Sequence, residues 1–489
     1  MKITVDPIVC ELKKHGVSKE KIQEVVRAFE IAYRIHDGVP RQSGEPYITH
    51  PLNVANRLLT WEIYDPDAIS AALLHDTIED AEIKFGDKFK YGPEHIAAST
   101  NSTVAKLVNG VTKLKDIKFS NKEEKNAANT RKFIIATGED IREGYIKLAD
   151  RDHNMRTISW KSQEKQEENA AETLLIHVPV AIKLGNYKAK NDLEDLSLEC
   201  IDPEAYHLIE ERRKIIIEQQ RPSLEKMADR IQKRLNDKGI NNEIVFREKT
   251  INSIYKEINN DHKKIENIYD ISYFKILLNS IDDCYLALGT IHSLYIPVNE
   301  RIKDYISNPR GFYQSIHTTV LDEAGNERKI KLRTEQMDKR DAYGLIADLN
   351  MGRSFEDIQK EFCDKWFDKK LQEIDAAYES DTEFFKALTS DLLPQNEIYV
   401  YGIRGGITIP KGSTALDYVC ETYSLEEMKK LTCIVVNGVE VPFYQKLKNN
   451  DTIKVVCDGR LDQSNWIEAA TTEKAKMMIK RMNETKNAE

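Results

Sequence analysis

The sequence predicts a multidomain chain of three parts: an all-helical amino-terminal domain, an α+β domain, and a small β-grasp-like module. Three observations predict it. From residue 1 to about 200, apolar residues recur at spacings of three and four, with Gly and Pro mainly at the junctions, the period of helices that bury one face. From about 240 to 345, β-branched runs such as ISYFKILL and RKIKLRT alternate with helical patterns such as DCYLALGTIHSLY, as strands and helices of one mixed domain do. Between 395 and 458, two hairpin signals flank a helical segment, one around the Gly-Gly of NEIYVYGIRGGITIP and one around Asn437-Gly438 in CIVVNGVEVP.

Within the helical domain (1–200), YITHPLNVANRLL opens a helix with Pro51 in its first turn and Leu52, Ala55, Leu58 and Leu59 on the buried face. His50 falls at the mouth of that helix. DAISAALLHDTIED buries Ile69, Ala72 and Leu73, and delivers His75, Asp76, Glu79 and Asp80 at the helix end. In EGYIKLADRDHNMRTI, Leu148, Met155 and Ile158 pack inward while Asp150, Asn154 and Thr157 share another stripe. Residues 201–240 are rich in Glu, Lys and Arg, with Ile215, Ile216, Leu224, Met227, Ile231 and Leu235 between them; they read as a connecting helix pair. The α+β domain with trailing helices takes 241–390 and the β-grasp-like module 393–458. An amphipathic helix with a basic polar face, starting near Trp466, fills the closing segment 459–489.

At 489 residues the chain is long enough for several cores, and 40% hydrophobic with 31% charged residues is a globular composition. A net charge of −9 argues against general binding to nucleic-acid backbones, which needs a surplus of Lys and Arg. The seven cysteines are scattered without CxxC spacing, so neither a disulfide framework nor a zinc cluster is indicated. The first residues lack an apolar signal core and no apolar stretch approaches the ~20 residues of a membrane span. A cytoplasmic enzyme without membrane contact is expected.

His50, His75, Asp76 and Asp150 come from separate helical segments, each beside polar satellites. Two imidazoles and two carboxylates suit a borderline divalent ion such as Mn²⁺, Fe²⁺ or Zn²⁺. The structural alternative makes His50 a cap, His75-Asp76 a surface pair and Asp150 a salt-bridge partner, which is the usual lot of a lone His-Asp dipeptide. Three such elements together favour the metal.

RQSGEPYITHP, ALLHDTIED and IKLADRDHNMRT resemble the three signatures of the hydrolase domain in the RelA/SpoT homologue family, which degrades guanosine tetra- and pentaphosphate, (p)ppGpp. The resemblance covers nearly the whole chain. It implies an all-α HD-type hydrolase domain, an α+β nucleotidyltransferase-like synthetase domain and a small β-grasp TGS domain. By matching position, His50, His75, Asp76 and Asp150 would hold Mn²⁺, and Glu79 with Asp80 would orient and deprotonate the attacking water. Arg41 and Ser43 would line the guanine side, and Asn154 and Thr157 would contact ribose or phosphate. Gln42, Ala81 and Asp152 depart from the family's usual Lys, Thr and Leu.

ERIKDYISNPRGFYQSIHTTV and FREKTINSIYKEI resemble the family's synthetase signatures, where pyrophosphate moves from ATP to GDP or GTP. The resemblance puts Arg247, Lys249 and Ser253 at ATP phosphates, Tyr313, Lys303 and His317 at the acceptor guanine pocket, and Asp270 at Mg²⁺. The family's second acidic residue stands in a strand reading E-[VI]-Q-[IL]-R-T; here KIKLRT puts Lys329 at the glutamate and Lys331 at the glutamine. A charged lysine neither accepts a proton from a ribose hydroxyl nor ligates Mg²⁺. Lys275, the shortened NPRGFYQS loop and Asp348 are further departures. A synthetase fold that no longer synthesises is expected, with Glu327 as the alternative source of a carboxylate. NEIYVYGIRGGITIPKGSTALDYV resembles the TGS domain, but YSLEEMKKLTC lacks the His-rich pattern usual there, so tRNA or ribosome contact is not inferred. The chain also stops short of the regulatory regions of long members. The leading expectation is a Mn²⁺-dependent (p)ppGpp 3′-pyrophosphohydrolase. The alternatives are a bifunctional synthetase/hydrolase and a non-catalytic nucleotide-sensing protein.

Overall fold

The computed structural model describes residues 3–85, 91–112, 122–260, 262–309, 312–364, 375–376, 380–388, 397–448, 451–459 and 465–486. Arg310 and Gly311 of the NPRGFYQS loop, and much of the helical stretch expected up to 390, lie outside these residues. The chain divides into two compact units, one of residues 1–113 with 133–366 and one of 114–132 with 367–489.

The amino-terminal part is helical: α1 (Asp6–Lys14), α2 (Lys19–His36), α3 (Thr49–Thr60), α4 (Pro66–Leu74), α5 (Thr77–Phe85), α6 (Pro93–Ser99), α7 (Ser102–Val111), α8 (Lys122–Glu139), α9 (Ile141–Arg156), α10 (Gln163–Glu172), α11 (Val178–Lys183) and α12 (Tyr187–Ile201). Side-chain caps start several of them, with Ser18, Asp65, Asn101 and Asp140 each accepting a first-turn N–H. Ala68–Leu74 of α4 are buried on every side, as a helix apolar all round requires. The Thr77 hydroxyl donates to the Leu74 carbonyl at 2.6 Å, which leaves His75-Asp76 at the joint between α4 and α5 rather than inside a continuous helix.

Residues 201–240 hold one helix rather than the expected pair: α13 (Pro203–Asp237) runs 35 residues and passes through Pro222. It serves two cores, which is why its apolar pattern read as two segments. Ile209 and Ile217 join a cluster with Ile251, Ile254, Ile268 and Ile271, whereas Leu224, Met227, Ile231 and Leu235 cover a sheet. That sheet has the order β1 (Asn242–Glu248), β2 (Ser272–Leu278), β5 (Glu327–Thr334), β4 (Ile316–Leu321), β3 (Lys303–Asp304), with only β2 and β5 parallel. Helices α14 (Ile251–Asn260), α15 (Ile281–Leu294), α16 (Glu335–Tyr343) and α17 (Phe355–Phe362) accompany it. One face buries Phe274, Ile276, Ile316, Ile330 and Leu332 against α13 and α15. By strand alternation the other face carries Tyr273, Lys275, His317, Lys329, Lys331 and Arg333.

In the second unit, after α18 (Asp381–Ala387), a mixed sheet has the order β7 (Gly405–Pro410), β6 (Glu397–Gly402), β10 (Thr452–Val456), β8 (Cys433–Val436), β9 (Val439–Val441). Helices α19 (Ala415–Thr422) and α20 (Leu425–Met428) lie between the hairpins, a β-grasp-like arrangement. Asn437 and Gly438 both take positive φ, 53° and 82°, as a two-residue hairpin turn demands. The first hairpin turns instead at Ile403-Arg404, since Gly402 pairs with Gly405 and the Gly-Gly lies within β7. The closing helix is broken into α21 (Trp466–Ala469) and α22 (Glu473–Lys486), because the Asp417 carboxylate accepts the N–H groups of Thr471 and Thr472. Trp466, Ala475, Ile479 and Met482 complete the module's core. Among the described residues, no helix is long and apolar enough to cross a membrane.

Candidate active site

The three helical segments singled out in the sequence meet in the first unit. Nε2 of His50 lies 3.2 Å from Nε2 of His75, 3.5 Å from Oδ2 of Asp76 and 3.3 Å from Oδ1 of Asp150. Nε2 of His75 lies 3.2 Å from Asp76 Oδ2 and 3.8 Å from Asp150 Oδ1. Donors bound at about 2.0–2.2 Å to one ion stand roughly 3–3.6 Å apart, so His50, His75 and Asp76 form a group spaced to hold one ion, with Asp150 beside the two imidazoles. Both imidazoles are buried, 3% and 2% exposed.

The hydrogen-bond network around the cluster fixes which atoms face inward. His75 Nδ1 donates to the Ala72 carbonyl at 2.8 Å, leaving the Nε2 lone pair toward the centre. His153 Nδ1 accepts from Arg41 Nη1 at 3.3 Å and lies 2.8 Å from His50 Nδ1. An arginine only donates, so the hydrogen between the two Nδ1 atoms is assigned to His50, whose Nε2 faces the cluster. Burial, with His50 and Arg41 nearby, holds His153 down at about 3, which keeps it the neutral acceptor. Two imidazole nitrogens 3.2 Å apart need a proton or a metal ion between them. Burial opposes charge on His75, but Asp76 and Asp150 push its pKa up to about 9. The field at the centre therefore favours positive charge, and the donor set fits a divalent metal.

The other expected residues surround this cluster. Asn154 donates to Asp150 Oδ1 at 2.6 Å, and Lys147 approaches the second oxygen at 3.3 Å. Arg41, held in a turn that Gly44 closes at φ +86°, also donates to Thr157 Oγ1 at 3.2 Å. Ser43 lies in the same turn. Glu79 and Asp80 sit in the first turn of α5. The sequence reading did not single out three residues: Tyr47, whose hydroxyl donates to Asp76 Oδ2 at 2.8 Å; His36, whose Nδ1 lies 3.2 Å from Asp80 Oδ2; and His153. Tyr47 and His153 stand inside the quoted GEPYITHP and DRDHNMRT segments, which was the available signal.

The synthetase-like residues gather on the polar face of the β1–β5 sheet. Asp270 is saturated: Lys249 donates to one carboxylate oxygen at 2.6 Å and Lys329 to the other at 2.8 Å. Lys249 also pairs with Glu257. Glu327, on the same strand face as Lys329, is bound by Arg301, whose guanidinium lies 4.1 Å from the centre of the Tyr269 ring. Lys275, Lys331, His317 and Lys303 form one cross-strand row. Tyr313 is fixed through its hydroxyl, 2.6 Å from His317 Nε2 and accepting from Arg333 at 3.0 Å. Ser253 lies in the first turn of α14, its N–H donating to the capping Thr250 Oγ1 and its hydroxyl accepting from it, and Arg247 is exposed, donating to the Phe246 carbonyl.

The family profile described as "HD domain" matches residues 28–187, and that for the "Region found in RelA / SpoT proteins" matches residues 246–353. The chain is 34% identical over 488 residues to the guanosine-3′,5′-bis(diphosphate) 3′-pyrophosphohydrolase of Vibrio cholerae serotype O1, covering 98% of this chain and 67% of that one. It belongs to the RelA/SpoT family. The bifunctional (p)ppGpp synthase/hydrolase SpoT of Escherichia coli K12 is also 34% identical, over 95% of this chain and 65% of its own length. The GTP pyrophosphokinase of Myxococcus xanthus is 34% identical as well, over 93% and 60%. The chain thus spans about two thirds of the length of the curated relatives it matches. RelA/SpoT relatives with both directions of chemistry in their names are equally similar, so the choice between directions rests on this chain's own two sites.

Proposed function

We propose that the chain hydrolyses (p)ppGpp at the 3′ position, releasing pyrophosphate and GDP or GTP, with Mn²⁺ held by His50, His75, Asp76 and Asp150. The observation that carries this reading is the buried His50–His75–Asp76 group, spaced to hold an ion, with Asp150 against both imidazoles. A bound divalent cation supplies Lewis-acid charge to the phosphate and eases deprotonation of water there. The chain's own residues do the rest. Glu79 and Asp80 orient the water and take its proton; the water oxygen bonds to the phosphorus as the bond to the ribose 3′ oxygen breaks, and a proton returned to that oxygen leaves a 3′-hydroxyl, while Arg41 and Ser43 hold the guanine side. Asn154 and Thr157 face ribose and phosphate.

In the synthetase-like domain, the reading that fits is loss of transfer chemistry. Both Asp270 oxygens are engaged by lysines and Glu327 by an arginine, so a Mg²⁺ ion would have to displace two charge-assisted bonds to reach Asp270. The β-grasp-like module is taken as a TGS domain without an assigned RNA partner. In the test, purified protein stripped with chelator and reloaded with Mn²⁺ releases pyrophosphate from ppGpp. Asp76→Ala lowers that rate by 10³-fold or more; a variant of near-normal rate removes the site.

A further inference from the structure

His36 closes α2 with its ring 2% exposed. Its Nδ1 lies 3.2 Å from Oδ2 of Asp80, and its ring packs against Tyr47 with centroids 4.8 Å apart. Neither ring nitrogen of His36 nor Oδ2 of Asp80 makes a hydrogen bond among the described residues, their 3.2 Å approach being an ion-pair contact that falls short of one. A buried N–H without an acceptor costs roughly 1–3 kcal/mol, so a ring hydrogen is best placed on Nδ1, which has the carboxylate within reach. The Lys84 side chain, near the end of α5, ties the two together, donating to the carbonyls of Arg34 at 3.1 Å in the last turn of α2 and of Asp37 at 2.6 Å just past it. Tyr47 donates at its other end to Asp76. His36 and Tyr47 therefore form a buried bracket, one member on Asp80 and the other on Asp76.

We propose that His36 is a positioning residue for the hydrolysis: its Nδ1–H holds Oδ2 of Asp80, so that the second carboxylate oxygen is turned to the attacking water. This rests on the role given above to Asp80. A hydroxyl or amide could hold the carboxylate elsewhere in the chain, but at a 2%-exposed position beside an aromatic ring, an imidazole supplies the donor while burying a flat, mostly apolar body.

Three variants separate the donor from the packing. His36→Phe keeps the contact with Tyr47 and loses the N–H, His36→Ala loses both, and His36→Asn restores an N–H near the Nδ1 position. With the Mn²⁺-loaded full chain and ppGpp, Phe and Ala are expected to lower kcat about 10–100-fold, the usual range for outer-shell residues. KM and the Mn²⁺ dissociation constant should stay within about twofold, and Asn should recover most of kcat. Adding His36→Phe to Asp80→Asn should produce no further loss. Equal loss in all three variants, or additive loss with Asp80→Asn, overturns the proposal. A second readout does not depend on the substrate: long-range ¹H–¹⁵N spectra should show His36 as the Nδ1–H tautomer, with its signal displaced by Asp80→Asn. An Nε2–H tautomer, or no response to Asp80→Asn, overturns the pairing even if pyrophosphate release is as expected. A chain inert toward ppGpp with the expected spectra overturns the substrate and leaves the pairing intact.

Discussion

Charged residues that depart from the family pattern are, with one exception, matched by a partner within this chain. Asp152, fully buried, is held by Arg57 at 2.7 Å and Arg156 at 2.9 Å. Lys275 is paired with Asp338, Asp348 with Arg340 and Arg353, and Lys329 with Asp270. Lys331 is the exception: among the described residues it has no carboxylate partner, only the Tyr273 ring at 4.7 Å. Burial, with Arg333 and Lys329 close by, pushes its pKa down to about 7. Between that value and the unfolded value of about 10.4, the unfolded chain binds more protons, so this group's contribution to stability rises with pH across that window. Lys331→Met should therefore melt a few °C above the natural protein at pH 7, corresponding to about 1–3 kcal/mol, and the gap should shrink toward pH 10. A gap that is absent at pH 7, or that grows with pH, contradicts the assignment; scanning calorimetry measures it. The four candidate metal ligands were legible in the sequence because polar residues of ligating type recurred at helix ends. His36 was not, because a buried histidine following Ile22, Val25, Ala28 and Ala32 on the inner face of α2 looks like any core position.

At the scale of elements, α9 joins the candidate site to the synthetase-like part of the same unit. Its last turns carry Asp150 and Asn154. Earlier along it, Arg142 is buried with Asp140 and Asp65 and stacks 4.0 Å from the Phe355 ring centre. Tyr145 donates to the carbonyls of Leu184 at 3.2 Å and Tyr343 at 2.8 Å. Gly344, just past α16, makes this approach possible. It has φ +83°, and a Cβ there would lie 2.0 Å from the Leu184 carbonyl oxygen and 2.4 Å from the Tyr145 hydroxyl. Gly344→Ala should lower the melting temperature by about 6 °C or more, through clash and backbone strain together. Gly325→Ala, at φ +81° with nothing within 4 Å, should cost only ~1 kcal/mol. Similar losses for the two would remove the close-approach argument. Strands β2 and β5 and helix α15 were readable from period and β-branching. The continuity of α13 and the exact turn of the β6–β7 hairpin were not, since both depend on which core each residue meets.

For the whole molecule, the candidate site needs α3, the α4–α5 joint and α9 folded together, although His50 and Asp150 are a hundred residues apart in sequence. Metal binding and folding are therefore linked. Chelation should lower the calorimetric transition of the first unit by several °C, since an ion at ~100 times its dissociation constant adds about 2.7 kcal/mol; Mn²⁺ should restore it in the natural chain and not in Asp76→Ala. A transition indifferent to chelator contradicts a filled site. The sequence marked three changes of character along the chain, but contact between distant segments decides the compact units, and residues 133–366 share one with 1–113.

A paired assay separates hydrolysis of (p)ppGpp, the direction expected of this chain, from its synthesis. The natural protein with Mn²⁺ is given ppGpp, and the Asp76→Ala protein with Mg²⁺ is given ATP and GDP. Pyrophosphate release in the first and no ppGpp in the second is the predicted result. Accumulation of ppGpp by the Asp76→Ala protein would contradict it, because Asp270, with Lys249 and Lys329 on it, would then still be serving as a transferase carboxylate.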